Sequence, residues 1–167
     1  MKHIPNLITA SNLLLGCLAA VRLWEGAYEQ ALLFFILALL MDWLDGFMAY
    51  LLRAQSEIGQ QLDSLADMIP FGFLPGLLWY VLLAETPWAN VAWLGFIYTA
   101  AAALRLARFN IEEHSGTHFS GLPSPAAAIF SLGYFYWWQA DILDWRTLLQ
   151  HPVMIGLFIL VPSFLMI

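Results

Sequence analysis

Five stretches of this chain, residues 3–21, 68–84, 86–104, 114–140 and 147–167, contain no Asp, Glu, Lys or Arg. A helix that crosses a bilayer needs ~20 mostly apolar residues. A sixth stretch, Ala27 to Leu52, has that length and is interrupted only by Glu29, Asp42 and Asp45. These runs take most of the 167 residues and leave no room for a soluble domain. Composition agrees: the chain is 62% hydrophobic and 11% charged, where a soluble domain is about half apolar and roughly a quarter charged. Such a chain cannot clothe a water-facing surface, which excludes a soluble enzyme, and the same balance excludes disorder and a nucleic-acid partner. Eight Trp, six Tyr and twelve Phe suit the interfaces of a membrane, where aromatic rings concentrate. The expected fold is all-α, a polytopic membrane protein of six transmembrane helices forming one domain over residues 1–167.

The helices are expected at Asn6–Trp24, Ala27–Leu52, Leu62–Leu83, Ala89–Phe109, Gly121–Gln139 and Pro152–Ile167. Pro5 falls near the first turn of the first helix, where proline is tolerated. Thr86-Pro-Trp88 reads as a tight turn, and Asn110–Ser120 and Asp141–His151 read as polar loops. The first run has no small-residue cleavage pattern after it, so it reads as a retained span. The single Cys17 allows no disulfide framework and reads as a small core side chain. The Trp137-Trp138 pair reads as an interfacial belt. With a cytoplasmic N-terminus, Lys2, Arg53, Arg105 and Arg108 lie on that side and Arg22 and Arg146 on the other, the sign the positive-inside rule expects. The last span stops in Phe164-Leu-Met-Ile167 without a charged anchor. That marks either an end at the membrane surface or a C-terminal truncation.

Four carboxylates carry the chemical signal. Asp42 and Asp45 are three residues apart and Asp63 and Asp67 four apart, so each pair shares one face of its helix. The connection between the two helices is short, which makes them antiparallel neighbours with both pairs near one membrane side. An ionised carboxylate within a membrane costs at least ~2.5–3.5 kcal/mol on insertion scales, and four together repel one another. Arg53 is the only cation between Glu29 and Arg105, so something else must neutralise them. Hard divalent cations prefer oxygen ligands, and magnesium is often held by a few carboxylates together with substrate phosphates. Two such ions would balance the four charges. Gly46, Ala49 and Gly59 add helix surface without bulk, against which a ligand or another helix can lie close. His114 and His118 are spaced for one helix face but fall in a glycine-containing stretch, where solvation is the simpler reading.

Asp42-Trp-Leu-Asp45-Gly46-Phe-Met-Ala49, followed by Gly59-x-x-x-Asp63-x-x-x-Asp67, resembles the signature of the CDP-alcohol phosphatidyltransferases, D-x2-D-G-x2-A-R-x8-G-x3-D-x3-D. Every spacing matches, and seven of the eight fixed residues are present. Ile4-Pro5-Asn6-Leu-Ile-Thr9-x-x-Asn12, Gln55-Ser56-Glu57, Leu62–Asp67, Phe71-Gly72 with Pro75, Arg105–Asn110 and Phe119–Ala127 are similar to the bacterial members that use serine, the CDP-diacylglycerol–serine O-phosphatidyltransferases. The resemblance covers nearly the whole chain. One departure stands out: the signature Arg is Tyr50 here, which removes a cation from the end of the second helix.

The resemblance implies transfer of the phosphatidyl group from CDP-diacylglycerol to the hydroxyl of L-serine, giving phosphatidylserine and CMP. It implies Mg2+ or Mn2+, two ions, on Asp42, Asp45, Asp63 and Asp67, with Asp67 also taking the serine proton. Asn6, Thr9, Gly46, Ala49 and Gly59 would meet the cytidine diphosphate. Arg105 and Arg108, three apart on one helix face, and Asn110 would meet serine or a lipid phosphate. Further implications are a homodimer among membrane lipids and a bacterial inner membrane with the site on the cytoplasmic side. Three other readings stay open at this point: glycerol 3-phosphate or an inositol phosphate as acceptor, a cation or proton transporter, and an inactive homologue. Restoring the signature charge with Tyr50→Arg is expected to raise turnover in a CMP-release assay, and unchanged turnover would show that this charge does not limit the reaction.

Overall fold

The computed structural model describes residues 4–52, 57–115, 121–140 and 151–166. Lys2, Arg53, Gln55, Ser56, Gly116, His118, Phe119 and Arg146 lie outside them, as does the expected loop at 141–150. Among the described residues there is no strand. Helix α1 spans Ile4–Trp24, α2 Tyr28–Leu52, α3 Glu57–Asp67, α4 Leu74–Ala84, α5 Phe96–Ser115, α6 Ser124–Ala140 and α7 Pro152–Met166. A π-helical turn, Met68–Phe73, joins α3 to α4, and a 3-10 segment, Ala89–Gly95, leads into α5.

Among the described residues, four helical stretches are long and apolar enough to cross a membrane: Asn6–Trp24, Tyr28–Leu52, Ile58–Ala84 and Ala89–Ile111. The expected count of six is not reached among the described residues, because α6 has 17 residues and α7 has 15, short of the ~20 that a span needs. Two expected boundaries also move. The third helix starts at Glu57 rather than Leu62, because Glu57-Ile58-Gly59-Gln60-Gln61 takes up helix ahead of the apolar run. Asn110 to Ser115 is helical rather than loop, since no glycine or proline interrupts the run before Gly116.

The chain divides into two compact units. The first comprises Met1–Pro70 and Leu106–His118, so its described part holds α1, α2, α3 and the end of α5. Here α1 packs against α2 and α3. Gly26 ends α1 with φ of 76°, a left-handed conformation that costs glycine nothing. The N–H of Ala27 reaches the Arg22 carbonyl at 2.8 Å and that of Gly26 the Leu23 carbonyl at 3.1 Å. This paired closure satisfies the orphan carbonyls and turns the chain into α2. Small buried residues, Ala19, Ala31, Ala38 and Ala66, let the helices approach, the usual means of packing in lipid. At Gly16 a Cβ would stand 2.8 Å from Pro70 Cδ, so only glycine lets the π turn sit there. Pro70 has no N–H to give an α-helix and its ring crowds the preceding turn, which accounts for the wider turn directly after Asp67.

The second unit comprises Phe71–Arg105 and Phe119–Ile167. Its core is aromatic, with Trp79, Tyr98, Phe71 and Phe135 fully buried. The Trp79 indole donates to Ser131 Oγ at 3.2 Å, and Ser131 donates to the Ala127 carbonyl at 3.0 Å, so these two buried donors are answered. Thr99 donates to the Gly72 carbonyl of the π turn at 3.1 Å. The Thr86 turn forms as expected, with its hydroxyl on the Leu83 carbonyl at 2.7 Å and the Trp88 N–H on that hydroxyl at 3.2 Å. Trp138 is buried against Phe135 rather than at an interface, because its face of α6 turns into this core. In the first unit Cys17 is exposed, not a core side chain, because the α1 face that packs inward is the one bearing Asn12, Ala19 and Leu23.

Large apolar side chains stand outward along the helices, among them Leu7, Leu14, Leu33, Ile36, Trp43 and Phe47. In water that much exposed apolar surface would aggregate, whereas hydrocarbon accepts it. One packing test follows. A Cβ at Gly95 would lie 2.6 Å from the Tyr80 backbone nitrogen and 2.9 Å from the Trp79 carbonyl carbon, and backbone cannot step aside. Gly95→Ala is expected to destabilise by ~1–3 kcal/mol. Gly133→Ala, with nothing within 4 Å of its added carbon, is expected to be neutral or slightly stabilising. Thermal unfolding of the two variants in detergent checks the contrast.

Candidate active site

The site lies in the first unit, on α1, α2 and α3. Helical spacing presents Asp42 and Asp45 from one side of α2 and Asp63 and Asp67 from one side of α3. One carboxylate oxygen from each of Asp42, Asp63 and Asp67 lies within 4.8 Å of the other two. At that separation two unit charges repel by ~3.5 kcal/mol at an effective dielectric of 20. Asp42 and Asp67 are also within hydrogen-bonding reach of each other, which two bare carboxylates do not tolerate without a shared proton or a bridging cation.

Asp45 stands outside this triplet. It is 5% exposed, the Thr9 hydroxyl hydrogen-bonds its carboxylate, and its Oδ2 is buried with no hydrogen-bond partner among the described residues. A buried acceptor of this kind costs free energy unless a donor or a cation meets it. An all-oxygen set with a buried, unanswered carboxylate oxygen fits a hard divalent cation. The residues therefore suit such an ion, with three of the four expected ligands gathered and the fourth adjoining Asp42 along the helix.

Other expected residues are placed as follows. Thr9 is buried on α1, and Asn6 is half-exposed one turn earlier. Gly46 has nothing within 4 Å of where a Cβ would stand, so the helix beside Asp45 is open. Gly59 is half-buried on α3, and Ala49 lies in α2. Asn110, near the end of α5, accepts a 2.9 Å hydrogen bond from the Ser64 hydroxyl, next to Asp63. Tyr50 is 78% exposed. Arg105 and Arg108 lie on one side of α5, as their spacing requires, but differ in environment. Arg105 is buried in the second unit, where it donates to Ser124 Oγ at 2.6 Å. Arg108 is exposed in the first. Three positions on α5 lie about 60° apart around the helix and ~4.5 Å apart along it, so one can sit at the edge of a core while the next is open to the outside.

Two residues enter that the aspartate pattern does not disclose. Asn12 is fully buried on α1 and donates from Nδ2 to Asp67 Oδ1 at 2.9 Å. Ser64 joins α3 to α5 through Asn110. The signal for Asn12 was its place one turn after Thr9 in an otherwise apolar run; a hydrogen bond to a residue 55 positions away has no trace in local spacing.

Residues 2–164 match the family described as CDP-alcohol phosphatidyltransferase. The chain belongs to that family. Together with the four long apolar helices, this membership makes it an integral membrane protein. It is 36% identical over 130 residues to a CDP-diacylglycerol–serine O-phosphatidyltransferase of Bacillus subtilis, a match covering 77% of this chain and 73% of the relative. It is 34% identical over 142 residues to the protein of the same name from Mycobacterium tuberculosis H37Rv, covering 80% of this chain and 49% of that one. An archaetidylserine synthase of Methanothermobacter thermautotrophicus is 33% identical over 138 residues, covering 80% and 57%. The chain thus spans about half the length of several curated relatives it matches. No solved structure matches it.

A divalent-ion titration tests the geometry of this site. Asp42→Asn and Asp63→Asn are each expected to weaken Mn2+ binding at least ~10-fold, since affinity follows the charge count of the ligand set. Asp45→Asn, outside the triplet, is expected to weaken it less. Electron paramagnetic resonance of free Mn2+ in detergent reads all three, and equal losses would place Asp45 on the same footing as the triplet.

Proposed function

We propose that this chain transfers the phosphatidyl group of CDP-diacylglycerol to L-serine. The observation that carries the reading is the meeting of Asp42, Asp63 and Asp67 oxygens within 4.8 Å at the family's signature positions. The names of the relatives, in bacteria and in an archaeon, share serine in the product or the acceptor, which favours serine over glycerol 3-phosphate or an inositol phosphate.

The reaction is a displacement at phosphorus. The serine oxygen forms a new P–O bond, the P–O bond to CMP breaks, and the hydroxyl proton goes to Asp67. Asp42, Asp45, Asp63 and Asp67 would hold Mg2+ or Mn2+, in our reading two ions. When bound, such ions offset charge on the diphosphate and on departing CMP. Asp67 has the Asn12 amide on one oxygen and is thereby held as an acceptor, the state a base requires. Thr9 steadies Asp45, and the open backbone beside Gly46, with Asn6, Ala49 and Gly59, lets the cytidine diphosphate lie against α1 to α3. Ser64 and Asn110 tie the end of α5 to the aspartate helix. Arg105, Arg108 and Asn110 are candidates for the serine carboxylate or a lipid phosphate, by resemblance alone.

The acyl chains of the donor stay in the bilayer while serine and CMP exchange with water. The inner membrane with a cytoplasmic site, six spans in one domain and a homodimer complete the proposal, each carried by the resemblance and the charge pattern. A transporter reading has less support, because the carboxylates collect on α2 and α3 instead of following a path across the bilayer.

Release of CMP from CDP-diacylglycerol in detergent decides the matter. It is expected to require L-serine and Mg2+ or Mn2+ together, and to fall by ~100-fold or more in Asp67→Asn, the scale of a lost general base. Release with glycerol 3-phosphate but not serine would change the acceptor. No release with any acceptor would sink the enzyme reading.

A further inference from the structure

Asn12 is a buried amide in an apolar helix, fully shielded from solvent. Its Nδ2 donates to Asp67 Oδ1 at 2.9 Å, and its Oδ1 is buried with no hydrogen-bond partner among the described residues. The orientation is chemically determined. Turning the amide over would set its oxygen against a carboxylate oxygen, with no proton between two acceptors. A residue kept only for packing would be apolar here, like its α1 neighbours Leu13, Leu14 and Leu15, since an unanswered buried oxygen is destabilising. The polar side chain is therefore retained for what its amide does to Asp67.

We propose that Asn12 is a positioning residue for the metal centre: from α1 it fixes the rotamer of Asp67, so that the Asp67 carboxylate meets the oxygens of Asp42 and Asp63 when a divalent cation binds. The inference rests on the reading above that these aspartates hold such an ion. Outer partners of this kind orient the ligand, and their loss costs 10–100-fold in metal affinity as a general scale. Asp67 adjoins the π turn at Met68–Phe73, where the helical ladder is interrupted, so a brace from another helix has a clear mechanical role. Gly16, one turn further along α1, admits Pro70 of that turn. One helix thus seats the turn and aims the ligand beside it.

The test is a double-mutant cycle on Mn2+ binding, read by electron paramagnetic resonance of the full chain in detergent. Asn12→Leu keeps the branched shape and removes the donor, and Asn12→Val removes it with less bulk than leucine, so a folding defect in one leaves the other to decide. Each is expected to weaken Mn2+ binding ~10–100-fold at a melting temperature no lower than that of Asn12→Ala. In an Asp67→Asn background the same Asn12 substitutions are expected to have no further effect, because the residue acts through Asp67. Additive losses would show general disruption and overturn the proposal. Wild-type Mn2+ affinity in either variant would also overturn it. If the wild-type chain itself binds no Mn2+, or Asp67→Asn binds it normally, the failure belongs to the metal reading; if Asp67→Asn loses Mn2+ and Asn12→Leu does not, it belongs to Asn12 alone.

Discussion

Mutual repulsion of carboxylates inside an apolar chain is the constraint on which this molecule turns. Asp42, Asp63 and Asp67 bring oxygens within 4.8 Å, and Asp45 is buried beside them on α2. A fold that only needed to be stable would disperse these charges to helix ends. Holding them together is strain that a divalent cation would relieve, and in the function proposed above such a cation would also meet the diphosphate of the substrate. The chemistry and the architecture therefore have one cause.

Helix α1 carries the cluster without contributing a charge to it. Thr9 reaches Asp45, Asn12 reaches Asp67, and Gly16 receives Pro70. These three residues recur at roughly one-turn spacing on one face, so a single helix orients both aspartate helices. Small side chains at Ala19, Ala31 and Ala38 let the backbones come close enough for such short polar groups to reach. In lipid, where the hydrophobic effect does not drive helices together, close packing and hydrogen bonds supply the cohesion.

Much of the site was legible because helical periodicity converts sequence spacing into direction. Asp42 with Asp45, and Asp63 with Asp67, had to share faces whatever the tertiary arrangement. The aspartate signature also named the family that residues 2–164 match. Spacing says less for Arg105 and Arg108. It sets them on one side of α5, but burial of Arg105 against Ser124 with exposure of Arg108 is decided by neighbours distant in sequence. Composition also could not place Trp138, since an indole suits a core as well as an interface.

By itself, then, the sequence determined the all-helical membrane character, through charge-free runs of spanning length, and the chemistry, through four carboxylates on two helix faces. Both follow from local rules: the length of a helix needed for hydrocarbon and the pitch of its backbone. Only the tertiary structure decided that three of the four aspartates converge while Asp45 adjoins them, and that α3 passes into α4 through a π turn beside Asp67. It also decided that Asn12 braces Asp67 from 55 residues away. Such pairings depend on which helix packs on which and at what register, and no local periodicity contains that information.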